Sequence, residues 1–249
     1  MWMLLHGFAG SPKGWSRAVH DAELGEPPLT PTLGGHGHDW QSRPVESFEG
    51  EVARLASLVS TVARPRLLCG YSMGARVGLG LLAHQPSLFD AAVLIGVHPG
   101  LTEETDRAER RRVDAGRIRL LREEGLEAFV EAWEALPLFA SQRALSRGAL
   151  AEQREIRLAH DAEGLARALE ALGLAEMPDY RAAMTSSEIP IVLLTGSLDT
   201  KFSKIAQALA GQSAHVDARV VEGVGHNVVL EAPKALAATL QRVEETVRR

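Results

Sequence analysis

The stretch 67–78, LLCGYSMGARVG, fences one serine between two glycines as Gly70-Tyr71-Ser72-Met73-Gly74. Leu67, Leu68 and Cys69 suit a buried strand, and the spacing from Arg76 onward suits a helix packed on a sheet, so Ser72 is expected at the corner between them. Glycines on both sides let the backbone turn sharply and leave the hydroxyl exposed at the helix N-terminus, the arrangement of a nucleophile elbow. The same five residues also suit a Gly-rich connection in which Ser72 merely caps a helix, and the rest of the chain has to decide.

A serine hydroxyl works as nucleophile or base only with an imidazole in hydrogen-bond reach and an acid to orient that imidazole. Two later loops supply them. Asp199, in TGSLDTKF, follows a strand expected to end at Thr195, and His226, in EGVGHNVVLEAP, follows one expected to end near Val221. Taken singly, Asp199 reads as a helix N-cap and His226 as an ordinary loop histidine. The order Ser, Asp, His, each after a strand, makes the three a candidate catalytic triad. Near the start, LLHGFAGSPKGW sets His6-Gly7-Phe8 directly after the first expected strand, where a backbone N–H can face the serine.

The other histidines offer less. His36-Gly37-His38-Asp39 looks like half of a metal loop, but no partner cluster follows, so these residues are read as structural and no metal is expected. His20, His84, His160 and His215 are read as surface or core-edge residues, whereas His98, which opens HPGL, is a candidate for either a turn or the pocket wall.

These residues need a scaffold. Strands are expected over 2–5, weakly over 29–33, and over 66–70, 91–95, 189–195 and 215–221. Helices are expected over 45–62, 76–84, 201–209 and 233–247. Strands separated by helices imply a mostly parallel sheet covered on both faces, an α/β fold. Between about Pro99 and Ser187 no strand candidate occurs, only charged helical segments such as 102–124 and 126–136. The expected organisation is a core of 1–98 and 188–249, with 99–187 as a helical cap whose ends meet the carboxyl edge of the sheet, where open α/β folds bind ligands.

With 249 residues, 45% of them hydrophobic, the chain can bury a full core. A net charge of -5 and a pI near 6.0 give no reason to expect nucleic acid. No apolar run reaches the roughly 20 residues of a membrane span, and MWMLLHGF lacks the basic and long apolar regions of a signal peptide. One cysteine, Cys69, allows no internal disulfide, so a cytoplasmic location is expected.

Taken together, these segments resemble the α/β-hydrolase superfamily. GVHPGLTEETDRAERRRVD, FVEAWEALPLFASQ and GLAEMPDYRA are similar, more narrowly, to its branch of 2-succinyl-6-hydroxy-2,4-cyclohexadiene-1-carboxylate synthases of menaquinone biosynthesis. HPGL before an Arg-rich helix, and then WEALPLF, are the features that set this branch apart from general esterases. The resemblance implies a lyase on a hydrolase fold, without cofactor, that eliminates pyruvate from a succinyl-enolpyruvyl-cyclohexadiene carboxylate. Ser72, activated by His226 and Asp199, would take a proton from the succinyl side chain, and the N–H groups of Phe8 and Met73 would form the oxyanion hole. It also implies that Arg76, Arg110 and Arg157 bind carboxylates in one pocket over Ser72, with Trp133 and Phe139 as an apolar wall and Tyr71 and His98 beside the substrate. Arg107, Arg111, Arg112 and Arg117, interleaved with acids, read instead as a solvated helix face.

Two departures accompany the resemblance: the first hairpin of the fold is expected to be missing, and AELGEPPLTPTLGGHG lacks the usual apolar strand and DLPGHG form. Glu134 stands where some members of that branch have an aromatic residue. The alternative reading is a carboxylic-ester or thioester hydrolase working through an acyl-enzyme on the same triad; a third is a relative that only binds a ligand. The expected partner is a small anionic carboxylate, with no nucleic acid and no membrane span, for a monomer or homodimer.

Overall fold

In a computed structural model, residues 1–248 are described. Five strands, β1 (Trp2–Leu5), β2 (Leu67–Tyr71), β3 (Ala91–Ile95), β4 (Ile191–Gly196) and β5 (Val216–Val221), form one parallel sheet in the order β1-β2-β3-β4-β5. Register is continuous across its centre, with Leu4 beside Cys69 and Cys69 beside Val93. Side chains alternate between two apolar layers. Met3, Leu5, Leu68, Leu94 and Leu193 point to one, and Trp2, Leu4, Cys69, Val93 and Leu194 to the other, all essentially without solvent contact. This two-sided burial is why the strands read as continuous apolar runs.

The first layer is closed by α2 (Phe48–Ser60) and α3 (Met73–His84), and the second by α1 (Ser16–Ala22) and α11 (Pro233–Arg248). Ser47 ends the approach to α2 by accepting the Gly50 N–H at 3.0 Å, which shortens the expected helix from 45–62. Between β4 and β5 lies α9 (Thr200–Ala210), and α10 (Val228–Glu231) follows β5.

The expected strand over 29–33 does not form. Leu29 makes an isolated bridge to Met3, with Leu4 N–H donating to Leu29 O and Leu29 N–H to Trp2 O, both at 2.8 Å. Prolines at 27, 28 and 31 remove the donors a longer ladder would need.

Between β3 and β4 the chain is helical, with α4 (Glu104–Glu123), α5 (Gly125–Glu134), α6 (Arg147–Leu158), α7 (Ala162–Leu172) and α8 (Arg181–Thr185). Phe129, Val130, Leu165, Leu169 and Leu172 turn inward and join the first apolar layer, leaving the charged residues of α4 on the outside or over the strand ends. Among the described residues no helix is long and apolar enough to cross a membrane.

Candidate active site

The corner after β2 is as sharp as the glycines require. Ser72 has φ 51° and ψ -106°, a conformation that costs a non-glycine residue energy and is kept only where packing enforces it. Its N–H donates to Ile95 O at 2.8 Å, which ties the corner to β3. A Cβ on residue 74 would lie 2.1 Å from Leu5 O, so only glycine lets α3 start this close to β1. At the other side, Gly96 (φ 56°) leaves room for the His226 ring, which a Cβ there would meet at 2.7 Å.

His226 spans the gap between two loops. Its Nδ1 donates to Asp199 Oδ2 at 2.6 Å, and its Nε2 lies 3.2 Å from Ser72 Oγ. Both His226 and Asp199 are buried, and Phe202 and Tyr71 pack beside the imidazole at ring distances of 4.7 and 5.5 Å. The carboxylate therefore fixes the tautomer that leaves Nε2 as an acceptor for the serine proton.

Across the pocket, the N–H groups of Phe8 and Met73 have no protein acceptor among the described residues, whereas the next one, Ala9 N–H, donates to His36 Nε2 at 3.2 Å. Ala9 itself sits at φ 53°. Two further histidines brace this loop. His6 Nδ1 donates to Gly7 O at 2.8 Å while its Nε2 accepts from Leu33 N–H at 3.1 Å, and His160, on the segment after α6, accepts from Gly37 N–H at 2.8 Å. Each of His6, His36 and His160 uses one ring nitrogen as an acceptor, so each must be neutral. Burial pulls their pKa values down, to about 3 for His6, well below the ordinary value for His36, and to about 4 for His160.

An open pocket of about 730 Å³ lies over the serine, walled by Tyr71, Trp133, Leu138 and Phe139 and bordered by Arg76, Arg110 and Arg117. Arg76, four residues after Ser72, is 7% exposed and meets no carboxylate among the described residues; its Nη1 donates to Leu172 O at 2.8 Å and approaches Met177 Sδ at 3.8 Å. Burial, with Arg110 close by, lowers its pKa to about 9. His98 lines the same pocket, and its Nδ1 accepts from Gly100 N–H at 3.2 Å, so it serves pocket and turn together. Burial first, and then the cations around it, lower its pKa to about 4.

An alpha/beta hydrolase family model matches residues 3–239. The chain belongs to the alpha/beta hydrolase family. Within it, this hydrolase-fold chain is 34% identical over 246 residues to the 2-succinyl-6-hydroxy-2,4-cyclohexadiene-1-carboxylate synthase of Enterobacter sp. (strain 638), covering 97% of this chain and 91% of that one. The synthase of the same name from Salmonella agona (strain SL483) is 35% identical over 243 residues, covering 97% of this chain and 92% of its own. Among solved structures, MenH from S. aureus superposes with a TM-score of 0.93 at 27% identity, over 100% of this chain and 94% of that one. A thermophilic esterase from Thermogutta terrifontis (TM-score 0.83, 21% identity, 100% and 90% coverage) shares the fold.

In this alpha/beta hydrolase, most of the residues singled out by sequence meet at one place. Ser72, His226, Phe8, Met73, Tyr71, Arg76, Arg110, His98, Trp133 and Phe139 all border the pocket over the serine, and Asp199 stands behind the imidazole. Arg157 does not join them. It lines an adjoining pocket of about 490 Å³ beyond Trp133 and Phe139, with its guanidinium carbon 5.5 Å from the Phe139 ring centre. Glu134 keeps it there, accepting from Arg157 Nη1 and Arg154 Nη1 at 2.8 Å each, which gives a role to the acid that departs from the family pattern. His160, expected at the surface or the core edge, is buried because it reaches the loop of Gly37.

By its sequence pattern Arg117 reads as part of a solvated face. The family chain instead turns it into the pocket, its guanidinium carbon 5.1 Å from the Trp133 ring centre, while Arg111 and Arg112 do remain exposed among glutamates. Asp114 at four residues from Arg110 and three from Arg117 was the available signal, since those spacings share one helix face.

Proposed function

We propose that this chain is a lyase that eliminates pyruvate from a succinyl-enolpyruvyl-cyclohexadiene carboxylate, giving 2-succinyl-6-hydroxy-2,4-cyclohexadiene-1-carboxylate in menaquinone biosynthesis. The observation that carries the reading is Arg76, a buried guanidinium one helical turn from Ser72 whose partners are all neutral. An unpaired buried cation is costly, and an anionic substrate relieves that cost. A site for neutral esters would gain nothing from it. The names of the relatives support the same substrate class.

Segment 99–187 serves as a cap over the core in this reading. His226 Nε2 takes the Ser72 hydroxyl proton as Ser72 Oγ removes a proton from the ring carbon that bears the succinyl carbonyl. The C–H electrons become a new C=C bond, the ring double bond shifts, and the C–O bond to the enolpyruvyl group breaks with its electrons leaving on oxygen. The proton held by His226 then goes to the departing pyruvate enolate, so nothing is hydrolysed. Charge that builds on the succinyl carbonyl oxygen is met by the free N–H groups of Phe8 and Met73, and Asp199 stabilises the transient imidazolium. Tyr71, Trp133 and Phe139 enclose the ring, and Arg157 meets a substrate group that reaches past the Phe139 wall.

Pyruvate release from the synthase substrate, followed by coupled reduction with lactate dehydrogenase, tests the proposal. The wild type should release one pyruvate per product formed. Absence of pyruvate, with rapid hydrolysis of p-nitrophenyl esters dependent on Ser72, would replace the lyase with an esterase acting through an acyl-enzyme.

A further inference from the structure

Along α4, most arginines find at least one acid of their own or backbone carbonyls. Arg111 donates to Glu104 and Glu176, Arg112 to Glu109, Arg122 to Glu163 and Glu170, and Arg107 to the carbonyls of Ala175 and Met177. Arg110 and Arg117 differ. They share one carboxylate, Asp114, whose side chain is 7% exposed: Oδ2 accepts from Arg110 Nε at 2.6 Å and Oδ1 from Arg117 Nη1 at 2.8 Å. Among the described residues both terminal nitrogens of Arg110 are left without a protein acceptor, as are Nε and Nη2 of Arg117, and both residues border the pocket over Ser72. Trp133 lies against the Arg117 guanidinium, whose carbon is 5.1 Å from the ring centre, while Gly173 lets the chain pass close to Asp114, where a Cβ would come within 3.3 Å of Oδ2. With Arg76 included, three guanidinium groups face the pocket against a single carboxylate. That leaves an excess of two positive charges, which one carboxylate of a ligand would only half compensate.

We infer that Asp114 presents Arg110 and Arg117 as a paired clamp for a second carboxylate of the ligand, Arg117 being the residue that selects dianionic over monoanionic acids and Asp114 the residue that positions both. The inference rests on the reading of this pocket as an anionic-substrate site. Planar guanidinium groups held at a fixed angle lose little freedom on meeting a carboxylate, so the pre-set pair favours a second carboxylate at the edge of α4 while Arg76 takes the first. Arg117 is thereby a contact residue, and Asp114 acts through the two arginines without touching the ligand.

Calorimetric titration with cyclohexane-1,2-, 1,3- and 1,4-dicarboxylates beside cyclohexanecarboxylate reads the inference without turnover. Wild type should bind at least one dicarboxylate more tightly than the monocarboxylate. Arg117→Met should weaken that dicarboxylate about 10- to 150-fold, the range for one lost charge-assisted pair, and leave the monocarboxylate within about 2-fold. Arg117→Lys, which keeps the charge and loses the fork, should recover part of the difference. On the synthase substrate, the same Arg117→Met change should raise KM more than it lowers kcat. For Asp114→Asn the loss should fall on dicarboxylate binding as well, with a circular-dichroism melt beside it to show a folded protein. No preference for any dicarboxylate in wild type, or equal losses for mono- and dicarboxylate in Arg117→Met, overturns the clamp. Failure of the lyase reading would look different: no pyruvate from wild type, with the dicarboxylate preference and its loss in Arg117→Met intact.

Discussion

Ser72 occupies a backbone conformation that its neighbours impose, and removing its hydroxyl leaves those neighbours unchanged. Ser72→Ala should therefore lower kcat by about 1,000-fold or more in the pyruvate-release assay while the thermal midpoint stays near that of wild type. Arg76 is the second single-residue test. Arg76→Ala removes a buried cation whose present partners are neutral, so kcat/KM on the synthase substrate should fall about 10- to 150-fold, and hydrolysis of a small neutral ester should change far less. The grouping of Ser72, Asp199 and His226 could be found in the sequence because it depends on rare local geometry: Gly70 and Gly74 are there for the corner, and Asp199 and His226 each follow an apolar run. The arginines could not be sorted the same way. Their distinction depends on which side of α4 the fold turns inward, and an Arg-rich segment interleaved with acids has the same pattern whether a given side chain meets water or a pocket. Hence the sequence pattern puts Arg117 in solvent and Arg157 over Ser72, while the fold turns Arg117 into the pocket and Arg157 past Phe139.

Two elements meet at Gly74, where the first turn of α3 crosses the end of β1 with no room for a methyl group. Gly74→Ala would set a Cβ 2.1 Å from Leu5 O, and since that contact is backbone against backbone, the helix start has to move. We expect a loss of about 2 kcal/mol or more by chemical denaturation, together with lost activity from displacement of the Met73 N–H. The helices between β3 and β4 are coupled to the core through a different contact, His160 to Gly37 N–H. Strand positions were legible wherever burial is two-sided, as at β2, whereas the cap at Ser47 starts α2 three residues later than the apolar pattern of 45–62 suggests. Placement was not legible at Leu29, whose single bridge to Met3 is decided by the partner strand and by prolines, or at His160, whose burial depends on a loop 123 residues away in sequence.

For the molecule as a whole, the three neutral histidines behind the Phe8 loop link stability to pH. Their folded pKa values lie below the ordinary value near 6.5, so the unfolded chain binds more protons than the native one between 6.5 and about 4. The contribution is complete above about pH 6.5 and is lost progressively as the pH falls from there. At pH 5 His6 and His160 should each cost about 2 kcal/mol relative to pH 7.5, measurable as a fall in the urea midpoint, and His160→Gln should flatten that dependence. A midpoint independent of pH over this interval would contradict the neutral assignment. Cys69 gives the same molecule a built-in reporter. It is the one thiol of the chain, lies in the second strand of the sheet with no solvent contact, and burial pushes its pKa up. A disulfide reagent such as Ellman's can reach it only when the sheet opens, so the labelling rate under mild denaturation measures the population of the open chain. Any small acid that binds the native pocket must slow that labelling in proportion to its occupancy. Ligands can therefore be ranked by the protection of a sulfur atom that none of them touches.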